Sequence, residues 1–82
     1  MKIFVGNLAM HTAEEDLRQA FLPFGEVTHV NVARHTADGT SRGFAFVDMT
    51  VDQDGHAAIL KLNDATIHGH LLRVKEAHRK EQ

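Results

Sequence analysis

The 82-residue sequence predicts an α+β fold whose elements run β-α-β-β-α-β. Three observations predict it. Four short runs rich in β-branched and aromatic residues begin at Lys2, Val27, Arg42 and Leu71 and read as strands. Two stretches, one after Thr12 and one after Asp52, place apolar residues at helical spacing. The helices separate strand one from strand two and strand three from strand four, whereas only a polar loop separates strands two and three.

Taken in order, Lys2-Ile3-Phe4-Val5 is a strand that ends at the turn Gly6-Asn7. Thr12, with Glu15 three residues on, has the spacing of a capping box and predicts a helix start. Ala13, Leu17, Ala20, Phe21 and Phe24 then share one helical face, and Pro23 stops the helix. In the second strand, Val27 to Ala33, Val30 and Val32 point one way and His29, Asn31 and Ala33 the other. The loop His35 to Ser41 carries the turn dipeptide Asp38-Gly39. In the third strand, Arg42 to Met49, Phe44 and Phe46 share one face while Ala45, Val47 and Met49 share the other.

Asp52 or Asp54 is suited to cap the second helix, whose Gly55, Ala58, Ile59 and Leu62 form its packing stripe. Asn63-Asp64 ends it, and Thr66 to His70 is a small hairpin around Gly69. The last strand, Leu71 to Lys75, turns Leu72 and Val74 inward and Arg73 and Lys75 outward. Right-handed crossovers then give a four-stranded antiparallel sheet of order 4-1-3-2 with both helices on one face, the ferredoxin-like arrangement. Residues 1–77 form the single domain, and 78–82 form a charged tail.

Composition narrows the function. Hydrophobic residues are 43% and charged residues 24%, ordinary for a globular domain. The absence of cysteine excludes disulfides, Cys-ligated metal and a thiol nucleophile. No apolar run approaches the ~20 residues that span a bilayer. No signal-peptide pattern opens the chain, so the expectation is a soluble intracellular single domain; a cytoplasmic location and a monomeric state are expected with it. The formal net charge is −2, which does not by itself suggest a polyanion partner.

The distribution of residues does. The helix-free face of the sheet collects Phe4, Phe44 and Phe46 with Lys2, Arg42, Arg73 and Lys75 around them and Asn31 alongside. Exposed phenylalanines forgo roughly 1.5–3 kcal/mol of burial each, so three together call for a ligand. An aromatic platform with cationic edges suits stacked bases and their phosphates. Lys2, Arg34, Arg42, Arg73, Lys75, Arg79 and Lys80 are expected on the sheet side or tail, and six carboxylates on the helices or their ends. His29, His68, His70 and His78 are expected near the bound phosphates, as a reserve of positive charge at low pH.

The segments Arg42 to Met49 (RGFAFVDM) and Ile3 to Leu8 (IFVGNL) resemble the octamer and hexamer of the RNA recognition motif family, in the family's order and spacing. The resemblance covers residues 2–77 and resembles in turn the compact single-domain bacterial members, including the cyanobacterial type. It implies stacking by Phe4 and Phe46, sugar packing by Phe44, and a phosphate contact by Arg42. It also implies base-edge reading by Arg73, Lys75 and Glu76. The implied partner is single-stranded RNA or single-stranded DNA, with no cofactor, small-molecule substrate or membrane. Departures are Met49 for the final aromatic, Gly55 for Ala in helix two, and Asp64 for Gly after Leu62-Asn63.

Three rivals compete. An acylphosphatase-type enzyme shares the topology but needs a cation in the loop before helix one, where Asn7 to Asp16 supplies none. His68-Gly69-His70 offers two imidazoles to a metal, with no carboxylate or thiolate close by in sequence. A protein-interaction or dimerisation module on the same fold is the stronger alternative, with Leu60 and Leu71 as exposed candidates.

Overall fold

The computed structural model describes residues 1–77. The strands are β1 (Lys2–Gly6), β2 (Val27–Arg34), β3 (Ser41–Met49), β4 (Thr66–Ile67), β5 (His70–Leu71) and β6 (Arg73–Glu76). The helices are α1 (Glu14–Phe21) and α2 (Asp52–Leu62), with a 3-10 turn over Leu22–Phe24. The main sheet has the order β2-β3-β1-β6 with every neighbour antiparallel, which is the expected topology. The β4–β5 hairpin forms a separate two-stranded ribbon.

Alternation along the strands builds the core. Ile3 and Val5 of β1, Val32 of β2, Ala45, Val47 and Met49 of β3, and Val74 of β6 are buried against Leu17 and Phe21 of α1 and Ala58 of α2. Both helices therefore share one sheet face. The molecule measures 36 × 35 × 19 Å, and its short dimension holds one sheet and one helix layer.

Several local expectations are corrected. Thr12 does not cap α1: it is buried, 1% exposed, and its Oγ1 has no hydrogen-bond partner among the described residues. The N-cap is Ala13, whose N–H donates to the Asp16 carboxylate at 2.9 Å, while Glu15 accepts from Gln19. Burial of the Thr12 side chain takes it away from the capping position. For α2 the N-cap is Val51, in extended conformation. Asp52 and Asp54 lie in the first turn, where they complement the helix dipole. The final strand begins at Arg73, because Leu71 is used by the hairpin and Leu72 lies buried between the two.

Two irregularities shape β2 and β3. Thr28 has no partner of its own between the pairs Val27↔Met49 and His29↔Asp48. This bulge reverses the alternation and lets odd-numbered Val27 join even-numbered Val32 in the core. At the other end, Arg42, Gly43 and Phe44 stand opposite the single Ala33. Gly43 has φ +88°, a conformation that favours glycine, and its carbonyl accepts from Leu8 N–H at 2.9 Å. The hairpin turn holds His68 and Gly69 at φ 54° and 80°, two positive φ values in succession. Asn7 pins that hairpin to the end of β1, donating from Nδ2 to Leu71 O at 2.7 Å.

Candidate nucleic-acid interface

The strand register arrays the open face in rows. One row crosses the sheet as Asn31, Phe46, Phe4 and Lys75, each opposite the next. A second runs His29, Asp48, Lys2. On the far side of Phe4, Arg73 stands opposite Gly6. Seven of the sites expected from sequence, Lys2, Phe4, Asn31, Phe44, Phe46, Arg73 and Lys75, share this face, with Arg42 beside Phe44. Glu76 stands opposite core-facing Ile3 rather than on the face of Lys75. It still helps line a hollow with Phe4, Phe46, Lys75 and Ala77.

The three phenylalanine rings form one assembly. Phe4 lies 5.8 Å from Phe44, stacked with 30° between planes, and 5.8 Å from Phe46, edge-on. Phe44 and Phe46 are 6.0 Å apart, also edge-on. These are favourable aromatic geometries. Each ring carries its own cation: Lys2 at 5.6 Å from the Phe46 centroid, Arg42 at 5.4 Å from Phe44, and Lys75 at 5.6 Å from Phe4.

The rings are half-buried, not largely exposed as alternation alone suggests. Mutual packing and the overlying cations cover part of each ring. None of the three belongs to the core or packs against it.

Gly6, which sequence reasoning passed over as a turn residue, lies under the platform. A Cβ there meets Phe4 Cε2 at 2.8 Å and Cζ at 2.9 Å. The ring occupies the notch that glycine leaves. A second hollow opens on that side of Phe4, lined by Asn63, Arg73, Val74 and Lys75.

The charge map differs from the expected one. Arg34 is engaged by Glu14 of α1, Nη2 to Oε1 at 2.8 Å, and so leaves the open face. Desolvation pushes the Glu14 carboxyl upward. Hydrogen bonds from its own backbone, Arg34 and Val32 outweigh that push and hold it below the usual range. Arg73 pairs with Asp64 at 3.4 Å. Of the histidines expected near phosphate, His29 lies on the open face. His68 pairs with Asp16 at 3.2 Å and lies 4.4 Å from the tilted ring of His11, and His70 meets Asn7 O. Ala13 N–H, then His68, hold Asp16 below its ordinary value. His78, Arg79 and Lys80 of the expected tail lie outside the described residues.

Among the described residues, no three His, Cys, Asp or Glu side chains converge to hold a metal ion. No described helix is long and apolar enough to cross a membrane. Leu60, on α2, is 82% exposed and Leu71 46%.

The profile of the RNA recognition motif matches residues 3–73. The chain belongs to the RNA recognition motif family. Membership makes it a binding module rather than an enzyme. It is 42% identical over 81 residues to RbpD of Nostoc sp., whose name describes an RNA-binding protein, and the match spans 99% of this chain and 86% of RbpD. Among solved structures it resembles RNA-binding protein PG1, with a TM-score of 0.93 and 40% identity over 100% of this chain and 99% of that one. It also resembles the Sex-lethal protein in complex with RNA, with a TM-score of 0.86 and 28% identity over 93% of this chain and 47% of that one. As an RNA recognition motif domain, this chain carries the platform on the sheet face that the helices leave uncovered.

Proposed function

We propose that the protein binds single-stranded RNA on the open sheet face, stacking bases on Phe4 and Phe46 and holding the sugar between them against Phe44. Arg42 and Lys75 contact phosphates, and Lys2, Asn31, Arg73 and Glu76 flank the bases. The observation that carries this reading is the assembly of three phenylalanines, each with a cation over it, outside the core. A purely structural role gives no reason to keep three large apolar rings out of the core. Stacking tolerates every base, because every base has a π-face. The reading carries with it a monomer acting in the cytoplasm, with single-stranded DNA as the chemically nearest competing ligand.

The test is a titration of labelled RNA octamers with the protein and its Phe4→Ala, Phe44→Ala and Phe46→Ala variants. Each variant is expected to lose about 1–3 kcal/mol of binding while its unfolding midpoint moves little. Variants that unfold, while their surviving folded fraction binds normally, assign the rings to the core and overturn the reading.

A further inference from the structure

Resting on that RNA-binding reading, we infer that Asp48 and Lys2 form a base-reading pair beside Phe46 that selects guanine. Among side chains that alternate onto the open face from β1, β3 and β6, Asp48 is the acidic one. A carboxylate on a surface built for phosphates repels the ligand backbone. Its place there is explained if it accepts hydrogen bonds from a base.

The surroundings of Asp48 leave it free to do so. Its side chain is 32% exposed, and its register partners are Lys2 on β1 and His29 on β2. Thr28 Oγ1 donates to the Asp48 backbone carbonyl, not to its carboxylate. The carboxylate receives no hydrogen bond among the described residues. Lys2 Nζ stands 3.8 Å from Oδ2, an ion pair beyond hydrogen-bond length. The same ammonium lies 5.6 Å from the Phe46 centroid. A base stacked on Phe46 therefore has a donor-only ammonium and an acceptor-only carboxylate within reach, side by side.

Guanine is the base whose Watson–Crick edge answers that pair most fully. Its N1–H and N2–H are two adjacent donors for the two oxygens of a carboxylate, and the neighbouring O6 accepts from an ammonium. Cytosine offers the carboxylate one amino group, as does adenine. Uracil offers a single N–H flanked by two carbonyls, which a carboxylate repels. Edge reading of this kind is open in single-stranded RNA, where no partner base occupies the Watson–Crick groups.

The experiment measures binding of oligouridine octamers carrying one central guanine, adenine, cytosine, inosine or uridine, by fluorescence anisotropy at fixed salt. The guanine octamer is expected to bind about tenfold more tightly than the all-uridine octamer, the usual worth of one bidentate contact. Inosine, which lacks the N2 amino group, loses much of that gain. Asp48→Asn brings the guanine-to-uridine ratio close to one. Binding of every octamer with no guanine preference, or a preference that survives both inosine and Asp48→Asn, overturns this inference and leaves RNA binding intact. A cytosine preference removed by Asp48→Asn keeps the pair as reader but overturns the assignment to guanine. Failure to bind any octamer overturns RNA binding itself, and this inference with it.

Discussion

Gly6 shows how one residue without a side chain can set the shape of an aromatic platform. Its missing Cβ is the space that Phe4 fills. Gly6→Ala forces the Phe4 ring to shift, because the added methyl meets two ring carbons at under 3 Å. The ring lies outside the core, so the expected outcome is weaker RNA binding, by about 1 kcal/mol, as one stacking contact is degraded. Paired binding and thermal-unfolding measurements check it. Equal affinity with the fold intact means that Phe4 does not hold a base. The aromatic positions are legible in the sequence because period-two alternation separates Phe4, Phe44 and Phe46 from Ile3, Val5, Ala45 and Val47. The Gly6 notch is not legible, since it depends on where a ring folds down. Nor is the fate of Thr12, whose capping spacing is sound but whose side chain is buried.

Between elements, the contact that sequence reasoning misplaces is Glu14 to Arg34. Sequence position places one on the helix and the other on the sheet, yet they bridge α1 and β2 at 2.8 Å. The bridge adds a 3.4 Å hydrogen bond from Val32 N–H to Glu14 Oε2. The Glu14 carboxyl is held below its ordinary value, so its contribution to stability is present above the unfolded-state pKa and is lost as pH falls through the folded one. Asp16 and Asp38 are lowered in the same sense, by Ala13 and Thr40 respectively. Stability is therefore expected to decline below about pH 4.5, the upper end of the ordinary carboxylate range. Glu14→Gln is expected to flatten that decline in part while lowering stability at neutral pH. Urea midpoints measured from pH 7 to pH 3 check this, and identical slopes in the two proteins count against it. Topology at this scale was legible because each turn carries its own chemistry: Asp38-Gly39, Asn63-Asp64 and His68-Gly69. The bulges at Thr28 and Gly43 were not, since each arises from pairing with a neighbouring strand.

Across the molecule, a net charge of −2 coexists with a cationic face. Lys2, Arg42 and Lys75 stand over the rings. Glu14, Glu15, Asp16, Asp52 and Asp54 lie on the helices. Net charge therefore says little about the ligand, and position says much. With two phosphate contacts, from Arg42 and Lys75, and a single-strand slope of ~0.7 per contact, log K against log salt is expected to fall with a slope of about −1.4. Arg42→Gln is expected to make it shallower by just under one unit. Binding that ignores salt points to stacking alone or to a protein partner.

The alternation of β1 and β3 has a consequence for how such a protein changes over generations. Ile3, Val5, Ala45, Val47 and Met49 belong to the core, and the residues that alternate with them, Lys2, Phe4, Phe44, Phe46 and Asp48, form the face proposed to bind RNA. The two sets are interleaved in sequence yet face opposite sides of one sheet. On the proposed reading, a codon change in the second set alters what is bound and spares the core; one in the first set threatens the fold and leaves the ligand chemistry untouched. Selection can thus retune recognition one residue at a time, on strands that are already stable, and lineages can diverge in target without ever passing through an unfolded ancestor.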